Sequence, residues 1–181
     1  MVDMEIEESR CFFILGGRKC GTTFLFQSLN QHPDICGSKP KEPTFFMLDQ
    51  EFEKGPEYYF DRYYQDYQGE DVIGEARTHN LYLPWVPERI FHLFPKALCI
   101  VLMRNPVDRA YSDYLHTRRH AVESRSFTKA IYSDYDRLKR GKDLTVKGEK
   151  EKFQEHYPKK RARFYDGYLE AGQYGKFSFL T

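Results

Sequence analysis

Long apolar runs, internal repeats and a cysteine framework are all missing from this 181-residue chain. No stretch supplies the ~20 consecutive apolar residues of a membrane-spanning helix. Residues 1–10 are acidic where a secretory leader would be apolar. Four cysteines, at positions 11, 20, 36 and 99, form no readable disulfide pattern and lack the paired spacing of zinc ligands, so no metal is expected. Cys11 and Cys99 fall on apolar runs and read as buried thiols. With no low-complexity linker or repeat, the chain reads as one globular unit long enough to bury a substantial core. The net charge of +1 comes with no nucleic-acid recognition motif, and nucleic acid is not an expected partner.

Charge and aromatics are unevenly placed. Residues 1–116 carry 12 Lys and Arg against 18 Asp and Glu; residues 117–181 carry 16 against 9. The positive excess lies in Arg118-Arg119, Arg137-Leu138-Lys139-Arg140-Gly141-Lys142 and Lys159-Lys160-Arg161-Ala162-Arg163. It suits a polyanion, or equally a solvated surface. Aromatics make up 17% of residues, and the tyrosine-rich stretch at 57–67 reads as a helix or irregular element packed over a sheet.

The first motif is Gly16-Gly17-Arg18-Lys19-Cys20-Gly21-Thr22-Thr23, after the apolar run Cys11-Phe12-Phe13-Ile14-Leu15 and before a helical pattern. A strand, a glycine turn and a helix start present unpaired backbone N–H groups and the positive end of the helix dipole to an anion. Gly16 and Gly21 keep the spacing of a nucleoside triphosphate P-loop, but Thr22 stands where that motif has its lysine. Lys19, inside the loop, sits beside one phosphate and whatever is bonded to it. A short activated 5′ group therefore suits the turn better than a triphosphate. Such a turn can also be purely structural. A positive turn would favour a thiolate at Cys20, making it a rival nucleophile, although no histidine lies near in sequence to act as its base.

The second motif follows the apolar run Leu98-Cys99-Ile100-Val101-Leu102-Met103. Arg104 ends that run, Asn105 caps a helix and Pro106 takes its first position, where a missing N–H costs nothing. Ser112 falls two turns into the helix and can share an anion with Arg104. A kinase or ATPase would place an acidic residue at such a strand end to hold magnesium; an arginine there points to a second phosphate held by protein cations.

Strands at 11–15, 72–76 and 98–103 alternate with helical patterns at 22–31, 87–94 and 106–119. This alternation predicts an α/β fold: a P-loop-like, three-layer parallel sheet flanked by helices and joined by right-handed crossovers.

Together with Lys41-Glu42-Pro43-Thr44-Phe45-Phe46, these motifs resemble the sulfotransferases that use 3′-phosphoadenosine 5′-phosphosulfate (PAPS). The likeness is nearest to Golgi carbohydrate sulfotransferases, in particular the type that sulfates the 6-position of N-acetylgalactosamine 4-sulfate in chondroitin. The resemblance implies that PAPS is bound by Arg18, Lys19, Cys20, Gly21, Thr22 and Thr23 at its 5′ end and by Arg104 and Ser112 at its 3′-phosphate. It makes Lys19 the catalytic lysine, and it implies an anionic polysaccharide acceptor and a Golgi lumenal location. Glu42 matches the family's catalytic glutamate in glycosaminoglycan enzymes; Pro40 and Pro43 would hold its backbone extended. His79, in Arg77-Thr78-His79, resembles the segment that supplies a histidine base in cytosolic relatives, and it remains the alternative. Lys41, Glu75, Arg77 and His79 are candidates to line the acceptor groove; an ion pair or a surface role would explain them as well.

The resemblance divides the chain into an acidic segment at 1–10 and a sulfotransferase domain at 11–181, incomplete at its C-terminus. Family members continue past a Gly-x-Tyr segment, here Gly172-Gln173-Tyr174, into a further strand and a basic loop over the adenosine 3′-phosphate. An inactive donor- or glycan-binding fragment, or a P-loop-like nucleotide kinase, are the other readings.

Overall fold

Strand β1, Cys11–Gly16, is buried at all six positions. Its side chains alternate between two apolar layers, which is what a central parallel strand requires. Phe12 and Ile14 join Phe26 of helix α1 (Thr22–Leu29) and Ala76 on one face. On the other face the ring of Phe13 meets Phe46 at 5.4 Å and Phe94 at 5.6 Å. Tyr59 packs onto that layer, with ring centroids 5.3 Å from Phe46 and 4.8 Å from Phe45. Tyr59 belongs to α3 (Gly55–Tyr63), which follows the short α2 (Asp49–Phe52), so the tyrosine-rich stretch is a helix over the sheet through residue 63.

The sheet holds four parallel strands in the order β2-β3-β1-β4. Besides β1 these are β2 (Ile35–Gly37), β3 (Val72–Ala76) and β4 (Leu98–Val101). β3 runs beside β1 from Cys11 opposite Ile73 to Ile14 opposite Ala76, and α4 (Val86–Leu93) leads to β4. Gly74 of β3 lies opposite Phe12, and a methyl group there would fall 2.3 Å from the Phe12 ring. Gly74→Ala is therefore expected to destabilise this unit by about 1–3 kcal/mol through overpacking. A urea midpoint equal to wild type would mean that the ring relocates without cost.

The structure, a computed structural model, describes residues 10–140, 150–157 and 167–172. The chain divides into two compact units, one comprising residues 1–16 and 21–102 and the other residues 17–20 and 103–181. The sheet lies in the first. In the second, α5 (Pro106–Arg119) is capped by Asn105, whose side chain accepts from the N–H of Val107 at 3.0 Å and of Asp108 at 3.4 Å. Ser126 caps α6 (Phe127–Lys139). Ala110, Tyr114, Ala130 and Tyr168 form the core between them, and α7 (Lys150–His156) follows. The Tyr168 hydroxyl meets Thr117 Oγ1 at 2.8 Å, and the Asp134 carboxylate accepts from the Leu169 N–H at 2.7 Å, which docks the 167–172 segment on α5 and α6.

Two expectations are corrected. The strand expected at 98–103 ends at Val101. Cys99 is exposed, not buried: β4 is the outermost strand, and among the described residues none pairs with its far edge. Cys11, on central β1, is buried as expected. Among the described residues no helix is long and apolar enough to cross a membrane. The Lys159–Arg163 cluster and the chain from Gln173 onward lie outside the described residues.

Candidate functional site

In the first unit, functional groups gather at the C-terminal ends of β1 and β3, the sheet edge where parallel α/β folds place ligands. Gly21 takes the left-handed conformation (φ 91°) as the N-cap of α1 and makes no side-chain cap bond. A side chain would strain that turn. The first N–H groups of α1 are thus left to an outside acceptor. Thr22 is buried and Thr23 exposed.

Residues 38–42 are laced along β3. The Ser38 N–H donates to the Gly74 carbonyl at 2.9 Å, and the Lys41 carbonyl accepts from the Ala76 N–H at 3.1 Å and the Ser38 hydroxyl at 3.3 Å. Arg77, just past β3, donates through Nη1 to the Glu42 carbonyl at 2.6 Å. The Glu42 side chain is 40% exposed and pairs with the Lys41 ammonium at 3.0 Å. The structure therefore brings Lys41, Glu42 and Arg77 together. His79 sits half-buried in the 3-10 turn Thr78–Leu81.

Glu75 is placed differently from a groove residue. It is 1% exposed, with Oε2 accepting from the Tyr59 hydroxyl at 2.7 Å and Oε1 from Asn80 Nδ2 at 2.9 Å. Burial raises its pKa from 4.5 to about 7, against those two hydrogen bonds and Arg77, which lower it. Between about pH 4.5 and about 7 the folded protein thus keeps a proton that the unfolded chain releases, so stability falls as pH rises through that window and levels off above it. At about 1.4 kcal/mol per pKa unit the loss amounts to roughly 3 kcal/mol. Urea unfolding at pH 5 and pH 8 should show that difference in wild type relative to Glu75→Gln. Equal pH dependence in the two proteins would contradict it.

The second unit holds Lys19 and the arginines that act on it. Lys19 adopts the left-handed conformation (φ 63°) within a turn closed by the Cys20 N–H donating to the Gly17 carbonyl at 3.2 Å. The Cys20 thiol donates to the Arg18 carbonyl at 3.5 Å. Arg104 Nη1 reaches the Lys19 carbonyl at 3.4 Å. Lys19 has its pKa lowered, first by burial and then by the guanidinium charges of Arg18, Arg119 and Arg104, with Asp113 opposing. Ser112 is half-buried on α5.

Three residues of this unit escape the motif reading. Asp113, fully buried, takes Arg18 Nε at 3.0 Å on one oxygen and Arg109 Nη1 at 3.1 Å on the other. Arg109, also fully buried, donates in addition to the Tyr168 carbonyl. His116 has its pKa lowered by burial and then by Lys19. The i,i+4 spacing of Arg109 and Asp113 was the available signal, but a charged pair on a helix reads as solvated.

Residues 9–177 match the family described as "Sulfotransferase domain", and the chain belongs to that family. It is 34% identical over 114 residues to the mouse (Mus musculus) "Bifunctional heparan sulfate N-deacetylase/N-sulfotransferase 4", covering 60% of this chain and 13% of that protein. It is 32% identical to the corresponding human (Homo sapiens) enzyme 3, with the same coverage. The chain thus spans only about an eighth of the length of these relatives (13%). Among solved structures, a sulfotransferase from Alicyclobacillus acidocaldarius superposes with a TM-score of 0.62 at 32% identity, over 71% of this chain and 58% of that one. The fold is the expected P-loop-like parallel α/β sheet. The names of these relatives do not carry the chondroitin 6-O type that the motifs suggested.

Proposed function

We propose that the chain transfers a sulfuryl group from PAPS to a carbohydrate. The carrying observation is the turn at residues 17–20, where Lys19 is left-handed, Arg104 reaches its carbonyl, and burial with the charges of Arg18, Arg119 and Arg104 lowers its pKa. A lysine in that field is suited to a dense anion and to charge that grows during reaction. The uncapped N–H groups after Gly21 suit a phosphate oxygen, so these residues fit the donor.

When bound, PAPS supplies an activated sulfuryl group on a leaving phosphate. Lys19 neutralises charge on the oxygen bridging sulfur and phosphorus as that bond breaks. Arg18, Cys20, Gly21, Thr22 and Thr23 orient the 5′ end, and Arg104 with Ser112 takes the 3′-phosphate. Glu42 accepts the proton of the attacking acceptor group, Lys41 and His79 are the acceptor-side residues, and the buried Arg77 holds the Glu42 backbone. Glu75 supports them from inside the sheet.

The acceptor is an anionic glycosaminoglycan. The relatives named for heparan sulfate make it the first to test, ahead of chondroitin; whether amine or hydroxyl is sulfated separates the two readings. The resemblance of the motifs to Golgi sulfotransferases is what supports a Golgi lumenal location.

The deciding experiment is calorimetric titration with 3′-phosphoadenosine 5′-phosphate in EDTA, with ATP for comparison. Micromolar binding of the bisphosphate in preference to ATP, lost in Arg104→Ala, is expected. Equal or stronger binding of ATP by the folded protein would overturn the reading.

A further inference from the structure

We infer that Asp113 is the positioning residue of the Lys19 turn, a role that rests on Lys19 being the catalytic lysine. Lys19 holds a left-handed backbone (φ 63°), a conformation that a non-glycine residue keeps only where its surroundings impose it. Two side chains grip the turn. Arg104 is exposed, and its 3.4 Å contact with the Lys19 carbonyl is long. Arg18 makes a 3.0 Å ion pair with a carboxylate that is fully buried on α5. The firmer grip is therefore on Arg18.

Asp113 is itself immobilised. Its second oxygen is tied to Arg109, and Arg109 is tied to the Tyr168 carbonyl. A buried chain thus runs from the 167–172 segment through Arg109 and Asp113 to Arg18, one residue before Lys19. Asp113 Oδ2 accepts from Arg109, whereas Oδ1 faces Arg18 as an ion pair without a hydrogen bond, so the buried carboxylate is held through Arg109 and compensated in charge by both guanidiniums. The same carboxylate favours the Lys19 ammonium, against Arg18, Arg119 and Arg104; His116 is the other titratable group facing it.

Position and charge can be separated because Arg18 and Asp113 act on Lys19 with opposite sign. Asp113→Asn should move the Lys19 titration, followed by NMR of 13C-labelled lysine and assigned with Lys19→Arg, to lower pH. Arg18→Met, which keeps the Asp113–Arg109 pair, should move it to higher pH. If Asp113 works by position, both variants lower kcat at least tenfold with a smaller change in the donor KM. Both should also speed amide hydrogen exchange at residues 17–20, and Arg18→Lys should recover part of each loss. Wild-type exchange at 17–20 in Arg18→Met, or a kcat that follows the Lys19 titration alone, would overturn the inference. A wild-type protein that binds the bisphosphate but turns over no donor would refute the proposed activity, while hydrogen exchange would still decide the role of Asp113.

Discussion

Lys19→Ala should reduce donor turnover by a factor of about 10²–10³ while leaving affinity for 3′-phosphoadenosine 5′-phosphate within a few-fold of wild type. The split follows from where charge develops. On the proposed reading the bisphosphate is held by groups other than Lys19, so the ground state loses little. The bridging oxygen gains charge only as the sulfur–oxygen bond breaks, and a preorganised donor at such a position contributes about 2.7–4 kcal/mol. The lowered pKa of Lys19 fits that task, since burial and neighbouring guanidiniums make an added negative charge welcome. Alanine does not change the handedness of the turn, because the ion pair of Arg18 with Asp113 stays in place. Single-turnover rates with labelled PAPS, together with the calorimetric titration, provide the check. Turnover within threefold of wild type would remove Lys19 from the chemistry, and a parallel loss of bisphosphate binding would reduce it to a donor contact.

The parts of this molecule that can be read from sequence are those whose local chemistry suffices. The glycine turn ahead of α1 and the helix start at Asn105-Pro106 are found as read, and the structure adds that Gly21 is left-handed there. β1, β3 and the first half of the 98–103 run are apolar segments bounded by turns, and they form the sheet. β2 could not be read because Ile35-Cys36-Gly37 is three residues long and exists through pairing with β3. α6 was missed for a different reason. Its core contacts, Phe127, Ala130 and Ile131 against Ala110, Tyr114 and Tyr168, keep helical spacing, but they are diluted by the charged residues around them and the segment reads as solvated surface. Cys99 misled because an apolar run was taken to mean burial, which fails at the outermost strand.

The candidate residues show the same division. Arg18, Lys19, Arg104 and Glu42 lie in motifs and could be named. Glu75 and Asp113 could not be placed, because charged residues are normally exposed and their burial depends on partners brought from elsewhere in the fold, Tyr59 and Asn80 for one, Arg18 and Arg109 for the other. Arg77 carries this further: its guanidinium reaches back to the Glu42 carbonyl, 35 residues earlier, a contact that sequence spacing does not announce.

That contact is the structural reason to favour Glu42 over His79 as the base. A general base must be held still, and Glu42 has its carbonyl gripped by Arg77 at 2.6 Å and its carboxylate met by Lys41 at 3.0 Å, while the side chain keeps 40% of its surface open to an acceptor. Glu42→Gln preserves shape and removes proton acceptance, so kcat should fall by about 10²–10⁴, with bisphosphate affinity unchanged. His79→Gln should cost less than tenfold. The measurement is kcat for both variants with heparan sulfate and with chondroitin, beside the calorimetric titration of each. If His79→Gln shows the larger loss, the proton goes to the histidine and Glu42 becomes an acceptor contact. If Glu42→Gln fails on both acceptors while still binding the bisphosphate, the defect lies in proton transfer and not in sugar choice. Arg77→Lys then becomes informative: a lysine too short to reach the Glu42 carbonyl should reproduce part of the Glu42→Gln loss without touching the carboxylate.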